Sequence, residues 1–145
     1  MYGSHYPRPA HVAEAHGFAK ACYVALLVWT LGRGTIYIVG FLEAQRAGRE
    51  RPFEISQVYS VMNALPSWAW GLGSLTLAFI LSAAFAANRR QRAKKRWVAA
   101  AFHLSALFHG VTAFLMALGN VYSAGWVVSF TFMVVSFLGG FAIRE

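Results

Sequence analysis

Apolar residues in this chain collect into four long runs, at 18–42, 66–87, 98–118 and 125–143, separated by short polar segments. Each run offers roughly the 20 residues that a helix needs to cross a hydrocarbon core about 30 Å thick. Backbone polar groups in lipid must be satisfied within the segment or by a closed barrel, and a barrel would need many short alternating strands. The pattern therefore predicts an all-α membrane protein, a bundle of four transmembrane helices forming one membrane domain over residues 1–145. The turn at 119–124 is so short that the third and fourth spans are expected to be antiparallel neighbours. The first run is longer than the apolar region of a signal peptide. It has no small-x-small cleavage site followed by soluble sequence, so a retained first span is expected.

The polar segments orient the spans. In the segment after the first run, Pro52 ends any helical extension of residues 43–51. Beyond it Ile55, Val58, Met62 and Leu65 recur at helical spacing, with Glu54, Gln57, Ser60 and Asn63 on other faces. That spacing predicts a short amphipathic helix over 53–65, lying at the outer interface. The stretch LPSWAW at 65–70 puts a proline and two tryptophans where the second span meets the headgroups, and Trp97, Tyr122 and Trp126 stand near other span ends. Between the second and third spans lies NRRQRAKKRW, with Arg89, Arg90, Arg92, Lys94, Lys95 and Arg96. Arg8, Lys20 and Arg144 fall on the same side, whereas Arg46, Arg49 and Arg51 on the other are offset by Glu43, Glu50 and Glu54. An excess of Lys and Arg marks the cytoplasmic side, so both termini and the basic connection are expected there, in a cytoplasmic (inner or plasma) membrane.

Composition supports the membrane reading, since 58% hydrophobic and 12% charged residues do not suit an ordinary soluble domain. A net charge of +8 would point to nucleic acid if it formed a stripe on a soluble fold. Here the basic residues sit at span ends, where topology and anionic lipid headgroups account for them, and no nucleic-acid partner is expected. Cys22 is the only cysteine, which excludes an intrachain disulfide and any multi-cysteine metal site.

Within the spans, Arg33 in LGRGT is the sharpest position, near the middle of the first run. An intramembrane arginine is costly and faces protein or water. It is either the centre of an ion, anion or ligand site, or a structural residue satisfied by polar groups inside the bundle. Gly32 and Gly34 beside it permit a close helix approach or a local irregularity under either reading.

The third span shows a small stripe of Ala99, His103, Ala106, Gly110, Ala113 and Ala117. A second stripe, of Ser105, His109, Thr112 and Met116, is displaced around the helix. His103 and His109 are six positions apart, which does not suit a haem or a metal pair on one helix, so no metal or cofactor is expected. The histidines, with Ser105 and Thr112, are instead expected to join Arg33 in an intramembrane polar site. Gly71, Ser74, Ala78 and Ser82 on the second span, and Ser129, Ser136 and Gly140 on the fourth, form ladders suited to helix packing or to association between copies.

No HExxH, GxSxG or phosphate-loop pattern occurs, and all five acidic residues lie in loops or tails, so no catalytic residue is expected. In size, closely spaced spans, the PSWAWG stretch at 66–71 and the basic hairpin at 88–97, the chain resembles small multi-span phage and bacterial membrane proteins, including holins. That resemblance, of layout alone, implies a homo-oligomer that permeabilises the cytoplasmic membrane. The other expectations are an accessory or inhibitory subunit docked to a larger membrane complex, and a ligand-binding or enzymatic bundle centred on Arg33.

Overall fold

Three of the four prolines lie outside the apolar runs and the fourth, Pro66, stands first in the second run, so no proline removes a backbone donor within a run. The computed structural model, which describes residues 10–48, 65–90, 95–119, 122 and 124–144, has four α-helices and no strand among those residues. They are α1 (Ala10–Arg46), α2 (Ser67–Arg90), α3 (Lys95–Gly119) and α4 (Ala124–Ala142). Each is long and apolar enough to cross a membrane, the character of a multi-pass membrane protein.

The helices outrun the apolar segments that announce them. α1 has 37 residues and spans about 56 Å, well beyond a hydrocarbon core of about 30 Å. Its flanking Ala, Glu, Gln and Arg residues are good helix formers, so the helix continues past the apolar run. It stops at Gly48, whose φ of 65° lets its N–H turn back to the Gln45 carbonyl at 3.2 Å. The basic connection is likewise mostly helix, because α2 runs on through Arg90 and α3 begins at Lys95. Arg92 and Lys94, the side chains of Arg89 and Arg90, and nearly all of the amphipathic helix expected over 53–65 lie outside the described residues.

The helices form a ring in chain order. α3 packs most closely on α4 and α1 on α2, α1 also meets α4 and α2 meets α3, and the diagonal pairs touch far less. Every neighbouring pair is antiparallel: Trp29 and Arg33 of α1 meet Phe132 and Ser129 of α4, and Ser105 and His109 of α3 meet Ser136 and Phe132.

Between lipid-embedded helices there is little water to expel, so close packing and hydrogen bonds hold the bundle together. At the α1–α2 crossing, a Cβ added to Gly34 or to Gly71 would sit 3.2 Å from the other glycine's carbonyl oxygen. Only glycine at both positions lets the backbones approach so closely. Gly32, by contrast, has open space beside it, and α1 runs through this region without a break. On α4, a Cβ at Gly139 would lie 2.6 Å from Phe102, and one at Gly140 would lie 2.8 Å from His103.

Two clusters fill the interior. One, at the end where α3 begins, is apolar and tight, with Leu26, Leu81, Val98, Ala99, Phe102 and Ile143 all at 2% exposure or less. The other, near the α3–α4 turn, is amphipathic: Tyr37, Trp70 and Met116, backed by Phe108, Leu115 and Trp126. Large apolar side chains cover the outside, such as Val28 at 67% and Phe79 at 73% exposure, which suits contact with acyl chains.

Candidate functional site

The interior between these two clusters holds the polar side chains. Arg33 is 7% exposed. The Gly34–Gly71 crossing draws α1 against α2 beside it, and α4 closes the other flank. Its Nε and Nη2 donate to the Tyr37 hydroxyl at 3.4 and 3.1 Å, and its Nη1 donates to Ser129 Oγ at 3.4 Å. The guanidinium carbon lies 5.3 Å from the Tyr37 ring centroid, so the aromatic face adds a cation–π contact.

A guanidinium has five N–H donors, and these bonds use three of them on two neutral oxygens. Among the described residues the acids are Glu14 and Glu43, both exposed, and Arg33 forms no ion pair. A buried cation held by neutral partners alone is electrostatically expensive.

Its depth differs from the sequence expectation. Ser129 is only the sixth residue of α4, so Arg33 lies toward the α3–α4 turn and not at the mid-level of the bundle. The reason is the length of α1, which overshoots the other helices; the middle of its apolar run is not the middle of the ring.

One turn deeper, a second group of polar atoms lacks partners. Trp29, four residues before Arg33 on the same face of α1, stacks on Phe132 with centroids 4.7 Å apart. His109 also contacts Phe132, with centroids 5.9 Å apart, and Phe108 at 5.7 Å. It is fully buried, and neither ring nitrogen has a hydrogen-bond partner. The Trp29 indole N–H and the Ser74 hydroxyl are also buried without one. Buried polar groups nearly always have partners, so each of these calls for water or a ligand.

The other expected residues divide differently. Thr112 is fully buried and donates to the Phe108 carbonyl of its own helix at 2.8 Å. Ser105 pairs with Ser136 at 3.0 Å, farther toward the start of α3. His103 does not join Arg33: it lies near the start of α3, where Arg144 Nη2 donates to its Nε2 at 3.2 Å and Phe137 and Phe141 flank its ring. Six positions apart, the two histidines occupy different levels as well as different faces.

The small ladders are used within one copy. Gly71 meets Ile38, Ser74 and Ala78 are buried, and Ser82 accepts from the Tyr23 hydroxyl at 3.5 Å. Ala106 and Ala113 are buried on α3, Gly110 faces Met133, and Gly140 faces His103. Ser129 and Ser136 are buried too; each serves a polar pair as well as the helix contact. Lys20, Lys95, Arg96 and Arg144 are exposed at one end of the bundle, around the apolar cluster that contains Ala19, Val98 and Ile143.

Sequence reasoning missed Tyr37 and Trp29 as members of the site. Their signal was present: they stand four residues to either side of Arg33, on one helical face. No protein-family model, curated protein or solved structure matches the chain.

Proposed function

We propose that this chain is a multi-pass protein of a cytoplasmic membrane that binds a small anion inside its helix bundle, at Arg33. The observation that carries this reading is the buried guanidinium with two N–H donors to spare and no carboxylate beside it among the described residues. A bound carboxylate or similar oxyanion neutralises that charge and takes the spare donors in the fork geometry that arginine favours. In this reading both termini and the basic connection face the cytoplasm, with Lys95 and Arg96 among anionic headgroups. The cluster of Tyr37, Trp70 and Met116 then stands on the outer side of Arg33, and the tight apolar cluster on its inner side.

The test is thermal unfolding in phosphatidylcholine nanodiscs, with butyrate as the probe. Wild type gains stability as butyrate is added, while Arg33→Gln does not. A wild-type midpoint indifferent to butyrate, or an equal gain in Arg33→Gln, overturns the proposal.

A second reading, holin-like permeabilisation by an assembly of copies, draws support from the outer face of α1. Gly32 and Gly40 have open space there, beside exposed Val28, Ile36 and Val39. Such a face suits another membrane helix. Timed loss of membrane potential after induction, abolished by Gly32→Leu, supports that reading; a steady potential at full expression removes it.

A further inference from the structure

We infer that the occupant of the Arg33 site is a small hydroxy monocarboxylate, and that His109 and Trp29 form a second station for its hydroxyl. The inference rests on the anion reading above and adds the chemical class of ligand. Arg33 and Trp29 are four residues apart on α1, so the two stations lie about 6 Å apart along the helix axis. They are joined through α4, where Ser129 accepts from Arg33 and Phe132, three residues on, stacks on Trp29 and contacts His109.

The stations differ in chemistry. The Arg33 station is cationic and offers spare donors only. The deeper station has no carboxylate or second cation beside it among the described residues: it offers the Trp29 N–H as a donor and the two unpartnered ring nitrogens of His109. A hydroxyl suits that pair, because it both donates and accepts. A second carboxylate there would be desolvated without a cation of its own.

A monatomic anion reaches one station and leaves the other unpartnered. A monocarboxylate with a hydroxyl about 6 Å from its carboxyl group fills both. A free solute fits better than a lipid headgroup, since both stations lie inside the ring and its outer face is apolar. The direction of binding follows: carboxylate toward Tyr37, hydroxyl toward the apolar cluster that contains Leu26 and Phe102.

The experiment titrates 4-hydroxybutyrate and butyrate into the full-length protein in phosphatidylcholine nanodiscs. The two share a carboxylate and differ in the distal hydroxyl. Wild type is expected to prefer 4-hydroxybutyrate by about tenfold, the worth of one well-made buried hydrogen bond. His109→Leu and Trp29→Phe, the latter keeping the ring that stacks on Phe132, should each bring the preference below about threefold. Equal affinity of wild type for the two acids overturns the hydroxyl station and leaves the Arg33 reading standing. Binding of neither acid overturns both. A preference that survives both substitutions overturns the assignment to His109 and Trp29.

Discussion

Replacing Arg33 with Met tests whether the guanidinium is a burden that the empty protein carries or a strut that holds it up. Met keeps the unbranched stem and fills irregular gaps. The substitution removes three long hydrogen bonds, of 3.1–3.4 Å. Side-chain hydrogen bonds between membrane helices average about 0.6 kcal/mol, so with about 1 kcal/mol for the Tyr37 cation–π contact the loss is about 3 kcal/mol. Neither partner is abandoned, because Tyr37 has a further contact and Ser129 Oγ lies 3.8 Å from Met116 Sδ. Against that loss stands the desolvation of an unpaired cation, several kcal/mol even after relaxation. The net expectation is that ligand-free Arg33→Met is more stable than ligand-free wild type by about 1–2 kcal/mol. Reversible unfolding by SDS from mixed micelles, free of carboxylates, measures it. A variant less stable than wild type by more than about 1 kcal/mol would refute the reasoning and make Arg33 a satisfied structural hub.

Further outcomes follow from packing. Gly71→Ala forces a methyl to 2.8 Å from Ile38 and 3.2 Å from the Gly34 carbonyl, and should cost about 1–3 kcal/mol in the same assay. Gly32→Ala meets nothing, and should gain about 0.5–1 kcal/mol from helix propensity. Ser105→Ala loses its bond to Ser136, but Ser136 still donates to the Phe132 carbonyl at 2.7 Å, so the cost should stay near 0.6 kcal/mol. A loss above about 2 kcal/mol would show that the serine pair anchors a larger network.

Much of the architecture was legible because membrane helices announce themselves by length: four apolar runs became four helices, each long enough to span. Their ends were not, since polar flanks with good helix propensity extend α1 to Ala10 and Arg46 and turn most of the basic connection into helix. Arg33 stood out as a charge within an apolar run, yet its level did not, because depth depends on how far each helix overshoots its neighbours. Ser129 read as a packing residue and proved also to be an arginine partner, a role that only the juxtaposition of α1 and α4 reveals. His103 and His109 looked alike in sequence; contact with the α4 end gives one Arg144 as partner, and burial in mid-bundle leaves the other without one. The small-residue ladders could not say what they pack against, because close approach within a copy and between copies asks for the same residues.

One anion per chain, held by Arg33, is the central expectation. Isothermal titration of butyrate into wild type and Arg33→Gln in phosphatidylcholine nanodiscs, in carboxylate- and chloride-free buffer, measures this directly. Saturable binding of about one butyrate per chain in wild type, lost in Arg33→Gln, is the predicted result. No binding to wild type, or equal binding to both proteins, would contradict it.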